Sequence, residues 1–354
     1  MEMANRQEIT PEAALVADAV RGLLSRYWPA GQAANAAGDP AAVRASYRIL
    51  VDQGFGEFGR GGDDGGAAEA AIVAAELGRA HCPAPLLDRY LLNFAASAPG
   101  GERLDALLGG APATLVAAED SGGFHVADGR ARGHLELVEQ AAACDAVVVL
   151  TRTGEVAVVR AEQPAVIVSP VTALSLPGFA RLEFADAAAD IVRLAPSVTD
   201  DLASLSRLLH TARAQGAARR AFELVVGYAK TRHQFGQPIG RFQAVAHKLA
   251  NCHIALTGAE LLIRRAAAEK DAESADWRYC AAAASAFAGL HLPRVSVETH
   301  HVFGAIGYSE EHEAPRHFKR VHVDLLAAGG GRAARRELAE RVTAASAPGL
   351  PKLD

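Results

Sequence analysis

Apolar positions along the chain follow a helical period at both ends and a β-type pattern between. Thr10-Pro11-Glu12 predicts an N-cap, a proline in the first turn and an acidic helix start, with Val16, Ala19, Val20, Leu23, Leu24 and Tyr27 forming one face. A second helix is expected from Pro40 to about Gln53, stopped by Gly54-Phe55-Gly56, and an alanine-rich third over 67–80. Cys82-Pro83-Ala84-Pro85 breaks the chain before a helix carrying Tyr90, Leu91, Leu92 and Phe94. From Ala113 the runs shorten and most turn β-branched: 114–118, 124–126, 146–150, 156–159, 165–168 and 181–184. Gly, Asp or Pro lies between most of them, which predicts a small antiparallel barrel or sandwich. The helical period returns near Val198, with Ser197 or Thr199 as the expected cap. Leu202, Leu205, Leu208, Leu209, Ala212, Ala218, Phe222 and Val225 then share a face.

Composition agrees with close-packed helices. The chain has 354 residues, half of them apolar but only 6% aromatic, and small side chains let helix axes approach. A net charge of −5 provides no broad cationic field, so neither nucleic acid nor an anionic membrane is expected as partner. Cys82, Cys144, Cys252 and Cys280 are scattered without a C-x-x-C pair, predicting reduced thiols, no zinc site and a cytoplasmic location. Arg60-Gly61-Gly62-Asp63-Asp64-Gly65-Gly66 reads as a connecting loop, its two aspartates opposing a phosphate-cradling role.

The most informative stretch is Tyr228 to Gln243, Tyr-Ala-Lys-Thr-Arg-His-Gln-Phe-Gly-Gln-Pro-Ile-Gly-Arg-Phe-Gln. Gly236, Pro238 and Gly240 interrupt two long helical patterns, the second resuming with Phe242, Val245, Ala246, Leu249, Ala250 and Ile254. The resulting corner carries Arg232, able to clamp a phosphate, and Phe235, able to cover an aromatic ring. The plain alternative is an αα-hairpin with an arginine placed at a helix C-terminus by the dipole.

This corner resembles the Arg-x-x-Phe-Gly corner of the acyl-CoA dehydrogenase family, including the following Pro-Ile and Phe-Gln. A second ordered motif, His300-His301-Val302-Phe303-Gly304-Ala305-Ile306-Gly307-Tyr308, is similar to the family's glycine-bearing C-terminal turn, with Ala305 in place of its second glycine. Ser309-Glu310-Glu311-His312 and Lys319-Arg320 are similar to bacterial members, among them those acting on steroid side chains. The resemblance is clear over 198–330, fair over 45–95 and weak over 100–195. It implies an α+β fold: an N-terminal helical domain over 1–110, a β-barrel or sandwich over 111–196, and a C-terminal four-helix bundle over 197–354.

The resemblance further implies FAD shared across a subunit interface, with Arg232 on the pyrophosphate, Phe235 near the adenine, and Gln243 hydrogen-bonding the cofactor. His301, Val302, Phe303 and Gly304 would approach the dinucleotide of the adjoining subunit, and Arg207 matches an arginine at the substrate mouth. The implied reaction is α,β-dehydrogenation of an acyl-CoA thioester, with electron-transfer flavoprotein as acceptor and a homologous subunit or a second copy as partner. A carboxylate must remove the α-proton. Yet the two family locations for that glutamate fall at Ala328-Gly329-Gly330 and at Ser206, neither of which carries one. Asp200, Asp201, Glu223, Glu310, Glu311, Glu313 and Asp324 are the candidates for a displaced base.

The β-region departs as well. Ala117-Ala118-Glu119-Asp120-Ser121-Gly122-Gly123 is an abbreviated remnant of the family's flavin-touching loop, and Val138-Glu139-Gln140 stands where its tryptophan segment falls. The chain is thus similar to the subunit of a heteromeric dehydrogenase that lacks the base and completes its partner's FAD site. The competing reading is a scaffold without flavin chemistry.

Overall fold

The computed structural model describes residues 11–60, 65–117, 123–151, 154–173 and 176–346. Six helices come first: α1 (Pro11–Tyr27), α2 (Ala30–Ala36), α3 (Pro40–Leu50), α4 (Ala67–Ala80), α5 (Leu86–Ser97) and α6 (Glu102–Leu108). α3 runs on into a π-type turn, Val51–Phe55, that ends where Gly54 takes φ +89°. Asp39, not foreseen as a cap, accepts the Ala41 amide in front of Pro40. The alanine-rich helix stops at His81, which is left-handed at φ +53°. Short α2 and α6 were not foreseen, because seven residues give too few turns for a period to show.

Eight strands follow: β1 (Ala113–Ala117), β2 (Phe124–Ala127), β3 (Arg130–Glu139), β4 (Ala146–Leu150), β5 (Glu155–Arg160), β6 (Val166–Ala173), β7 (Leu176–Ala188) and β8 (Asp190–Arg193). They form two four-stranded sheets, ordered β1-β4-β5-β8 and β2-β3-β7-β6. Val147, Val149, Ala157 and Val159 of the first meet Ala131, Leu135, Leu182 and Phe184 of the second as the sandwich core. The opposite face of the first sheet, with Val148, Val156 and Val158, is buried in the large core it shares with the helices. Burial on both faces explains why β4 is a continuous apolar run. The all-antiparallel expectation fails at one edge, since β1 pairs with β4 in parallel. β3 escaped notice because its polar, solvent-facing positions outnumber its buried ones. The expected remnant loop over 118–122 and most of the 60–66 loop lie outside the described residues.

Helical structure resumes with α7 (Pro196–Thr231), and Ala195, not Ser197 or Thr199, occupies its N-cap position without a capping side chain. A two-residue-per-strand hairpin of β9 (His233–Gln234) and β10 (Gln237–Pro238) leads to α8 (Gln243–Asp271), α9 (Trp277–Phe303), α10 (Ala314–Ala327) and α11 (Arg332–Ser346). α11 is a fifth C-terminal helix, and its Ala334 packs on Ala282 and Ala286 of α9.

α4 and α7 approach backbone to backbone. A Cβ on Gly78 would lie 1.9 Å from the Arg213 carbonyl oxygen, and one on Gly216 would lie 1.8 Å from that of Ala75. These contacts require glycine on both helices and lock the first helical layer onto the C-terminal one. Gly216→Ala is expected to destabilise the fold by about 1–3 kcal/mol or more, read as a lowered urea midpoint at unchanged helical content.

Candidate functional site

α7 ends where Arg232 turns to φ −75°, ψ +121° while its amide still donates to the Tyr228 carbonyl. The Arg232 carbonyl then accepts from Ile239 (2.8 Å), closing the β9–β10 hairpin. The hairpin tip is Phe235-Gly236, with φ of +51° and +80°. Both central residues of this two-residue loop must be left-handed, which glycine adopts freely and phenylalanine only at a cost of about 1–3 kcal/mol. Phe235 is 94% exposed, so no packing within the chain repays this strain. Its ring meets only the edge of Phe242, at 6.2 Å. A Cβ on Gly240 would lie 3.0 Å from the Ala229 carbonyl oxygen, so this glycine lets the corner sit flat on α7.

Arg232 is exposed and makes no ion pair or side-chain hydrogen bond among the described residues. Gln243 is also exposed and opens α8, which no side chain caps. The corner therefore presents a guanidinium, an aromatic ring, a carboxamide and the positive end of a 29-residue helix.

The second motif divides differently from its expected role. Gly304 ends α9 at φ +62°, ψ −137°, and a Cβ there would meet nothing within 4 Å. The backbone conformation calls for glycine, and the space above it is open. His301 is exposed, its Nδ1 3.5 Å from Glu298, which also binds Lys248 at 2.5 Å. Phe303, by contrast, is 3% exposed and packs on Tyr228 and His312, so its ring turns inward as a wedge behind the corner. Val302 is half-buried in the same cluster. His300 is buried, bonding the Ser296 carbonyl through Nδ1 at 3.0 Å.

The base positions hold no carboxylate. Ser206 is half-buried on α7, beside His210, whose Nδ1 lies 2.9 Å from the Ser206 carbonyl oxygen. Gly329, Gly330 and Gly331 form a left-handed turn, with φ of +82°, +60° and +68°, between α10 and α11. Arg207 is engaged by Glu337 of α11 at 2.8 Å, which ties two helices together. Most of the candidate displaced bases are likewise occupied, Glu223 by Arg79, Glu313 by Arg220 and Asp201 by Arg278, whereas Glu310 is exposed without an ion pair among the described residues. Asp200 lies 3.7 Å from Arg278, and Glu311 accepts from Ser309.

Asp324 belongs to a feature the sequence did not disclose. Arg213 on α7 binds Asp324 and Glu139 at 2.7 Å each, and Arg320 on α10 binds Glu139 at 2.6 Å and Asp324 at 3.2 Å. Asp324 is fully buried, with Arg213 and Arg320 each 4% exposed. A bulge in β3 makes this possible. The register to β7 shifts between Leu135 and Val138, and Leu137 takes φ +55°. Val138 thereby enters the sandwich core and Glu139, which strict alternation from Leu135 would bury there, turns to the helices instead. Burial alone would raise the Glu139 carboxyl, but Arg213 and then Arg320 hold it at about 2. Burial pulls the Arg213 guanidinium down, yet Asp324 and Glu139 outweigh it and keep it charged.

The network closes the seam between the second sheet and the C-terminal helices. The cavity beside it, lined by Leu77, His81, Cys82, Leu176, Pro177 and Arg320 among others, has a volume of about 10 Å³, room for a single water. The seam is thus closed by ion pairs, whereas the corner is open to whatever approaches from outside the chain. Asp88 on α5, missed by sequence reasoning, lies close enough to sense the network: burial, then Glu139, push its carboxyl up to about 7. His81 and His317 face each other edge to face, both buried with an unpaired Nδ1.

The fold is thus three layers of helix, sandwich and helix, with a cationic corner between two long helices. Residues 198–343 match the family described as acyl-CoA dehydrogenase, C-terminal domain. Acyl-CoA dehydrogenase IpdE2 of Mycobacterium tuberculosis (strain ATCC 25618 / H37Rv) is 30% identical over 322 residues, covering 88% of this chain and 91% of that protein. The chain belongs to the acyl-CoA dehydrogenase family, flavin-dependent oxidoreductases of acyl-CoA thioesters. Among solved structures, the ChsE4-ChsE5 complex from Mycobacterium tuberculosis superposes with a TM-score of 0.74 at 24% identity, covering 93% of this chain and 97% of that one. The Tcur3481-Tcur3483 steroid ACAD G363A variant gives 0.83 at 20% identity, with 96% and 100% covered. No helix among the described residues is long and apolar enough to cross a membrane.

Two outcomes follow for the seam. Asp324→Asn leaves two buried guanidiniums sharing one carboxylate, and is expected to cost about 3–5 kcal/mol in urea unfolding, part of it regained in an Arg213→Met/Asp324→Leu pair. Burial, then Arg320, depresses the His81 imidazole well below its ordinary range, and burial likewise lowers His317. Both stay neutral in the fold while the unfolded chain takes up protons below about pH 6.5, so their contribution is present above that pH and lost as pH falls. His81→Asn, which tolerates the left-handed backbone, should flatten the decline in urea midpoint between pH 7 and pH 5.

Proposed function

We propose that this chain is the base-less subunit of a heteromeric acyl-CoA dehydrogenase and completes the FAD site of a homologous partner. The carrying observation is a contrast within one molecule. The seam between the second sheet and the C-terminal helices is closed by Arg213, Glu139, Arg320 and Asp324, while the Arg232–Phe235 corner is exposed and strained, with the Arg232 side chain unpaired among the described residues. Strain at an outward-facing aromatic persists where something outside the chain uses it. Two-component structures among the neighbours, ChsE4-ChsE5 and Tcur3481-Tcur3483, support the same arrangement.

In this reading Arg232 holds the pyrophosphate bidentately, helped by the uncapped amides of α8. Phe235 covers the adenine, Gln243 hydrogen-bonds the cofactor, and Gly304 with its neighbours His301 and Val302 lets backbone approach from the other side. FAD supplies the acceptor for the β-hydride, and the partner supplies both the ring seat and the carboxylate that takes the α-proton. Ser206 and Gly329 cannot do so, and Arg207 serves as a helix tie instead of a substrate contact. The substrate is an acyl-CoA thioester, of a steroid side chain by analogy with the named steroid enzyme. Electrons leave to an electron-transfer flavoprotein, and the assembly works in the cytoplasm. The domain limits at 110 and 196 complete this reading.

The second reading is a scaffold that has lost flavin altogether, favoured by the filled seam and the two empty glutamate positions. Co-purification with the homologous partner separates them. Bound FAD in the complex, with none on the isolated chain, is expected here; a colourless complex supports the scaffold. Arg232→Ala, which removes a charge-assisted contact, should weaken FAD retention by the complex roughly 10- to 100-fold without altering helical content.

A further inference from the structure

We propose that a second site, a cavity of about 550 Å³ between α1, α4, α7 and α8, binds an uncharged, mainly apolar small molecule through the carboxamide of Gln215. It lies away from the flavin corner and from the Glu139 seam, and flavin plays no part in it. Its size falls within that of ordinary small-molecule sites, roughly 300–1,000 Å³.

The floor exists because α4 and α7 touch backbone to backbone at Ala75 and Gly216. That approach permits only small side chains, and Ala71, Ala75, Ala212 and Gly216 leave a smooth apolar surface. Gln215 sits in this floor, 5% exposed, and its carboxamide makes no hydrogen bond among the described residues. The amide is reached from the cavity side, so water meets it when the cavity is empty and a ligand with one polar group takes that water's place.

The rim sets the ligand's charge. Arg21 is held by Glu76 at 2.6 Å, Arg79 by Glu223, and Arg219 by Glu260 at 2.8 Å. Glu260 also holds Arg264, Asp18 adds a second contact to Arg21, and Glu69 accepts from the Gly66 amide, so an anion finds no free guanidinium and a cation meets only carboxylates already engaged. An apolar body bearing one hydroxyl or carbonyl matches the methyl floor and the Gln215 amide together. The amide offers both a donor and an acceptor, so either polar group suits it.

The test uses the full chain, the neutral dye Nile red and competition by ten-carbon ligands. Nile red fluorescence should rise on binding, and 1-decanol should displace the dye at lower concentration than decanoate or decylammonium. Ala268→Phe and Ala17→Phe place a ring into the cavity from two different helices. Each should abolish most of the dye signal while circular dichroism stays unchanged. Gln215→Leu keeps the shape and should weaken decanol roughly two- to tenfold, the loss of one hydrogen bond. Undiminished dye binding in both phenylalanine variants, or equal displacement by decanoate, would overturn the assignment.

Discussion

Four charges, three of them buried and the fourth, Glu139, half-buried, hold this molecule in its particular state. Arg213, Asp324, Glu139 and Arg320 join the first long C-terminal helix, the tenth helix and the third strand, with two positive and two negative groups in balance. Ions taken out of water are costly unless each finds close opposite charge and good hydrogen bonds. Here both carboxylates contact both guanidiniums, so the cost of desolvation is offset where the layers meet. One contact set thus ties the third strand to two C-terminal helices.

The layered architecture was legible because long periodic elements report themselves. The face made by Leu202, Leu205, Leu208 and Leu209, or the β-branched run at 146–150, could hardly be anything else. The corner between the two long helices was legible too, through glycine and proline spacing at 236, 238 and 240. What stayed hidden depends on tertiary position. Glu139 reads as one more polar residue in a polar strand, and only the bulge at Leu137 turns it toward the helices. Arg213 and Asp324 are 111 residues apart, beyond any local pattern. Phe303 read as a cofactor contact from its place in the motif, but the last turn of α9 rotates it into the interior.

Chemistry is consequently unevenly distributed over the surface. The corner at Arg232 offers charge, an aromatic face and an uncapped helix end without partners to saturate them. Arg207, Glu223 and Glu313, which look reactive in the sequence, are consumed in helix-to-helix ties. These three ionisable residues act as mortar between helices.

The turn made by Gly329, Gly330 and Gly331 sets the passage from α10 to α11. Three consecutive left-handed residues admit a side chain only with strain, and Gly331 additionally lies against Gly289 of α9. A carboxylate placed there would bring a Cβ into a backbone that only glycine adopts freely. The path of the chain, and not a single side chain, therefore decides what chemistry this end of α10 can carry.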